Sequence, residues 1–341
     1  MKGSLRRVVV VMLFGILLYG AFAIWRGVGS IGESLGRFAW STFGMACSLA
    51  FGNYVLRYFK WEFYLGRLRI REGIKEHPGV PELSRWDSFL TFLSGFVLTV
   101  TPGKVGEVFK SLVLFDTHKV PIARTAPIVV AERVTDLIGI ITLIVLGSLG
   151  FSGGLLWAGI GAVLVASLIG TILSRRLSLA LIGLIQKMPG KIGKLGPKLH
   201  QAYDSLATLL HPTNLLVPTL LSVVAWSFEC LSLWVILRGF GESTSVPLCA
   251  FFYATSTLAG ALVPVPGGLG VTEGALSEQM MNVGHVDKGT STAAMILVRF
   301  ATLWFAVLVG FLALSLLKRR HPGMLAGAEA APVPTAGTVA E

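Results

Sequence analysis

Long uninterrupted apolar runs dominate the chain. Segments 8–25, 38–56, 125–149, 155–173, 213–237 and 291–317 each hold about the number of residues a helix needs to cross roughly 30 Å of hydrocarbon. Two more apolar stretches, 86–101 and 247–266, run into Pro-Gly sequences. The pattern predicts an all-α polytopic membrane protein, with about six full transmembrane helices and two re-entrant broken-helix hairpins. Composition agrees: 53% of the 341 residues are hydrophobic and only 14% charged, with a mean hydropathy of +0.73. A soluble domain of this length needs far more charge to cover its surface.

The net charge of +11 raises nucleic acid as a partner, but its placement argues against one. Lys and Arg gather in short loops between apolar runs, where positive charge sets orientation and attracts anionic headgroups. With the N-terminus in the cytoplasm, helix 8–25 exits. Helix 38–56 then returns to a basic, aromatic-rimmed segment that starts at Arg57-Tyr58-Phe59-Lys60-Trp61. If 86–102 crossed fully, the basic loop 174–212 would lie outside. If 86–120 enters and leaves from the cytoplasm, and 247–283 does the same from the other face, that loop and Lys318-Arg319-Arg320 fall inside. Only Arg26, Arg37, Arg238 and Lys288 are then external among 29 Lys and Arg. The expected location is therefore the inner (cytoplasmic) membrane of a bacterium, with both termini cytoplasmic.

Residues 1–320 are expected to form a single integral membrane domain, with repeats at about 38–149 and 213–317 joined by an interfacial linker, 174–212. In that linker Leu199, Tyr203, Leu206 and Leu210 share one helical face. The Ala/Pro/Gly-rich remainder 321–341 is expected to be a disordered cytoplasmic tail. The N-terminal run resembles a signal peptide but exceeds the usual apolar core, so an uncleaved first helix is expected. Cys47, Cys230 and Cys249 all lie in apolar runs, and the six histidines are scattered. No spacing suggests a metal or redox site, so no metal and no cofactor are expected.

The two Pro-Gly stretches are related. In each, a glycine follows the proline by four positions (Pro102 to Gly106, Pro266 to Gly270), then an acid (Glu107, Glu273), then an arginine within the next apolar helix (Arg133, Arg299). The acid-to-arginine separation is 26 residues in both. Opposite directions of approach make this an inverted-topology repeat, a transporter pattern. Proline removes a backbone donor and glycine permits a tight turn. Such backbone survives at membrane depth only when buried in protein or lining a watery cavity. The amides following Lys104 or Gly268 would favour an anion such as lipid phosphate there. The plainer alternative is that each break only shapes a kink.

Helix 125–149 also carries Glu132, Arg133 and Asp136. A charge at mid-bilayer costs on the order of 2.5–3.5 kcal/mol or more, so such groups face the bundle interior and pair. Glu107 with Arg133 and Glu273 with Arg299 are the natural partners, whether as a site or as locks on each break. Glu229 reads as a packing or interface residue.

Three elements resemble the lysylphosphatidylglycerol synthase transmembrane-region family over nearly the whole chain. They are Thr101-Pro102-Gly103-Lys104-Val105-Gly106-Glu107 with Lys110, then Glu132-Arg133 with Asp136, and Pro266-Gly267-Gly268-Leu269-Gly270 with Glu273 and Arg299. The resemblance implies a membrane-embedded role in moving or handling a polar lipid. In bifunctional members this domain flips aminoacylated phosphatidylglycerol made by a fused soluble synthase. Only a short tail follows the last helix here, so lysyl transfer is not expected. The expected activity is a lipid flippase or transporter, with membrane lipids of anionic or polyprenyl-phosphate type as partners. Lys104, Lys110, Arg133 and Arg299 would contact phosphate. An integral-membrane lipid-modifying transferase, or a non-catalytic partner of a separate lipid or envelope synthase, stays open. No ATP-binding motif is present, so uphill transport would need an ion gradient or a partner.

Overall fold

The computed structural model describes residues 28–75, 80–101, 107–150, 205–263 and 265–324, with a few helical positions between 156 and 167. The expected spans 8–25 and 155–173 lie largely or wholly outside these residues. Every regular element among them is helical. In chain order they are α1 (Val28–Gly36), α2 (Trp40–Arg67), α3 (Ile70–Lys75), α4 (Arg85–Ser94), α5 (Phe109–His118) and α6 (Ile122–Ser148). Then come α7 (Pro212–Gly239), α8 (Val246–Leu262), α9 (Val271–Asn282), α10 (Lys288–Arg299) and α11 (Phe305–Arg320). Helices α10 and α11 are one continuous rod joined by a π-helical turn, Phe300–Trp304, with Phe305 N–H donating to Phe300 O.

Each expected break is a helix that stops short. α4 is capped by the Ser84 hydroxyl, which accepts from Asp87 N–H, and tightens into a 3₁₀ turn, Gly95–Leu98. α8 ends at Leu262 and gives way to a short turn, Pro266–Gly268. Gly267, Gly268 and Gly270 there take φ of 64°, 68° and 88°, a region side chains disfavour. α9 then starts with Glu273 accepting from Gly270 N–H at 2.7 Å, so the carboxylate caps the new helix.

The long helices interlock crosswise. α2 and α7 form the central pair, held by Asn53 donating to Ala225 O (2.7 Å) and Ser232 to Ala46 O (3.1 Å). α6 packs on α8, and α11 packs on α4. Both contacts depend on a glycine. A Cβ on Gly147 would come within 2.7 Å of Phe251 N and Pro247 O, and one on Gly310 within 2.7 Å of Val97 N. Two apolar cores result, one around α4 and α5 with Trp61, Tyr64 and Phe92, the other around α8 and α9 with Phe252, Leu276 and Met280.

The outward faces of α7 and α11 are apolar. Leu216, Leu220 and Val224 on α7, and Leu308, Leu312 and Leu316 on α11, recur every four residues and are all exposed. Such stripes suit a lipid-facing helix and not one in water. By length and composition, Pro212–Gly239 and Lys288–Arg320 can each cross a membrane.

Two sequence expectations need correction. The run 38–56 does not end in a basic interfacial segment at Arg57. The helix continues to Arg67, with Arg57 and Lys60 buried. The expected tail also begins too early, because 321–324 pack on the body. Met324 is buried and His321 Nε2 lies 3.7 Å from Asp87, which also accepts from Arg320 Nε at 2.6 Å.

Candidate functional site

A cavity of about 320 Å³ lies between the two breaks. Arg57 of α2, Arg133 and Asp136 of α6, Glu229 of α7 and Arg299 of α10 all reach its wall, as do Gly267 and Gly268 from the second turn. The remaining lining is mainly apolar and aromatic, including Phe96, Trp226 and Tyr253. A mostly apolar concavity with a few convergent charges is the usual form of a small-molecule site.

The first set of charges links α2 and α6 to Glu107, just ahead of α5. Arg133 Nη2 bridges Glu107 (3.1 Å) and Asp136 (3.0 Å). Arg57 Nη2 lies 3.4 Å from the same Glu107 oxygen and 4.0 Å from Asp136, and its guanidinium sits 5.3 Å from the Phe96 ring. Behind Asp136, Lys60 Nζ donates to its Oδ1 (2.5 Å) and to Ser222 Oγ (2.8 Å), and Ser222 donates to Asp136 in turn (3.0 Å). Asn53, Tyr54, Arg57, Lys60, Trp61 and Tyr64, at helical spacing, form the buried face of α2.

The second set is simpler. Arg299 donates from Nε to Glu273 (2.6 Å) and from Nη2 to Gly267 O (2.9 Å). One guanidinium therefore ties the start of α9 to the Pro-Gly turn before it. Each acid–arginine pair foreseen from equal spacing is thus in contact, Glu107 with Arg133 and Glu273 with Arg299.

Not every candidate comes together. Lys110 does not line the cavity. Its Nζ donates to Glu132 Oε2 (2.5 Å) and sits 4.7 Å from the Trp61 ring and 5.3 Å from Phe92. Both partners are buried, so Lys110 and Glu132 form an internal brace between α5 and α6. Pro102, Gly103, Lys104 and Gly106 lie outside the described residues. Pro266 and Gly270 shape the second turn without lining the cavity. Three residues escaped the sequence reading. Arg57 and Lys60 were assigned to an interface, and Glu229 to packing. Glu229 lines the cavity and accepts the Tyr253 hydroxyl at 2.6 Å.

The family model for the Lysylphosphatidylglycerol synthase TM region matches residues 8–310. The chain belongs to this family. Two curated proteins of Methanothermobacter thermautotrophicus, each named UPF0104 membrane protein, are similar to it. One is 27% identical over 117 residues, which is 34% of this chain and 34% of that relative. The other is 23% identical over 286 residues, 76% of this chain and 78% of the relative. Membership makes the chain a membrane protein of a lipid-related family. It also gives the exposed leucine stripes of α7 and α11 their solvent, lipid.

Proposed function

We propose that this family member is a lipid flippase or transporter that moves a polar phospholipid or polyprenyl-linked lipid across the inner membrane. The observation that carries the reading is the shared cavity, walled by Arg57, Arg133 and Arg299 and set between two helix breaks. Buried arginines at membrane depth are expensive unless they serve a cavity or a partner. A phosphate headgroup would sit among them while its acyl chains remain in lipid.

The two breaks are read as re-entrant hairpins in an inverted-topology repeat. The crosswise packing of α6 on α8 and α11 on α4 supports this, as does the shared 26-residue acid–arginine separation. Two units related in this way open naturally to opposite faces, which suits alternating access. Both termini are placed in the cytoplasm.

The test is transport of labelled lipid in liposomes holding the purified chain. Transport is expected in the wild type and should fall at least tenfold in Arg133→Ala. Wild-type liposomes no faster than protein-free ones would sink the reading.

A further inference from the structure

Each long helix that follows a break is fastened at both ends, and the two ends belong to different breaks. α6 grips the first break through Arg133, whose Nη2 lies 3.1 Å from Glu107. Farther along, at Gly147, the same helix lies against α8, the arm that leads into the second break. A Cβ on Gly147 would come within 2.7 Å of Pro247 O and Phe251 N, both backbone atoms of that arm. The α10–α11 rod repeats this in reverse. Arg299 grips the second break through Glu273 and Gly267 O, while Gly310 abuts Val97 N and Leu93 O on the arm of the first. The far ends match as well. Gly150, just past α6, meets Pro247 at the start of α8, and Arg320, closing α11, holds Asp87 at the start of α4 at 2.6 Å.

Both glycine contacts are backbone against backbone, with no flexible side chain between them to give way. A helix that shifts there must carry the opposite arm with it, because a close-packed interior transmits strain. Roughly 15–20 Å of continuous helix separates the arginine grip from the glycine contact in each case. Packed elements of this kind change between discrete arrangements and do not deform smoothly. We infer that the two breaks form one coupled unit, in which pressure on either arm at Gly147 or Gly310 resets the break gripped at the other end of the same helix. Glycines acting as passive spacers would confine every disturbance to the arm they touch. The coupling is reciprocal, as linkage requires, and it stands whether or not the chain moves lipid.

Thiol labelling of the full chain in detergent tests the coupling. In a background without Cys47, Cys230 and Cys249, Thr101→Cys reports on the first break and Val265→Cys on the second. Both reporters line the cavity, and none of the perturbing sites does, so the charges around each reporter are left in place. Gly310→Ala presses on the first arm, yet it should change the labelling rate of Val265→Cys by about fivefold or more. Gly147→Ala presses on the second arm and should change Thr101→Cys by a similar factor. Arg320→Ala and Gly150→Ala disturb the same two contacts from outside the core and carry the test if a buried glycine variant fails to fold. Each should shift the same remote reporter as its glycine neighbour. Arg319→Ala removes an exposed cation from the same turn as Arg320 and should shift neither. Variants that keep the wild-type melting are the ones compared. Among them, a rate change confined to the arm that is pressed on overturns the coupling, as does an equal remote change with Arg319→Ala.

Discussion

Lys60 Nζ lies 2.5 Å from Asp136 Oδ1, with the lysine wholly enclosed between α2, α6 and α7. Removing one member of a buried ion pair leaves an uncompensated charge, which typically costs about 3–5 kcal/mol. Lys60→Met leaves Asp136 with Arg133 at 3.0 Å, so a loss near the lower end, about 3 kcal/mol, is expected. Asp136→Leu strands the enclosed Lys60 and leaves Arg133 with Glu107 alone, so it should cost more. The double variant should recover part of the loss, read as a coupling energy from unfolding in detergent. Simple additivity of the two variants would show that the pair is not coupled.

Arg299→Lys is predicted to be non-conservative. An ammonium cannot reach Glu273 and Gly267 O in the planar geometry Arg299 uses. A loss of about 1–3 kcal/mol in stability is expected, together with slower lipid transport because the second turn loosens. A variant with wild-type melting and transport would show that the turn holds itself.

Labelling of single cysteines in a background without Cys47, Cys230 and Cys249 checks the topology. Arg85→Cys and Asp116→Cys flank the first break, and Glu242→Cys and His285→Cys flank the second. A membrane-impermeant thiol reagent should reach the first pair from one face and the second pair from the opposite face. If Arg85→Cys and Asp116→Cys label from different faces, the first stretch crosses fully and the inverted repeat is lost.

Asp287 caps α10, its carboxylate accepting from Thr290 N–H at 3.0 Å. Burial raises its pKa, but the Thr290 and Gly289 hydrogen bonds outweigh this and leave it below the ordinary value. A depressed carboxylate pKa means that the unfolded chain binds the proton first. The stabilisation is therefore present above about pH 4, the unfolded value, and fades as pH falls through the lower folded value. Asp287→Ala should cost about 0.5–2 kcal/mol at pH 7. The gap between variant and wild-type melting should narrow below pH 4; a constant gap would assign the effect to packing.

Much of this arrangement was legible in sequence. A Pro-Gly break with an acid and an arginine 26 residues apart, written twice, located both ion pairs because a buried charge needs a partner wherever it sits. Arg57 and Lys60 were missed for the same electrostatic logic. Basic residues after an apolar run ordinarily mark an interface, and that rule outweighed a weaker signal. Between Asn53 and Leu65 no glycine or proline interrupts the helix, and Asn53, Tyr54, Arg57, Lys60, Trp61 and Tyr64 recur at its period. A polar and aromatic stripe of that kind belongs inside a bundle. Lys110 misled in the opposite way, since nothing local to it shows that Glu132 takes its ammonium before any ligand can.

The π turn at Phe300–Trp304 gives the last rod a phase shift. It fits one residue more into a turn than an α-helix would, which offsets the two ends by roughly 100° relative to an unbroken α-helix. Arg299 faces the cavity above that offset, while Leu308, Leu312 and Leu316 face outward below it. The Tyr54 hydroxyl engages the offset directly, donating to Thr302 O at 3.0 Å. Deleting one residue from 300–304 would restore an even spiral and leave either the arginine or the leucines on the wrong side. The extra residue works as a rotary joint, letting a single helix serve a charged interior and an oily exterior.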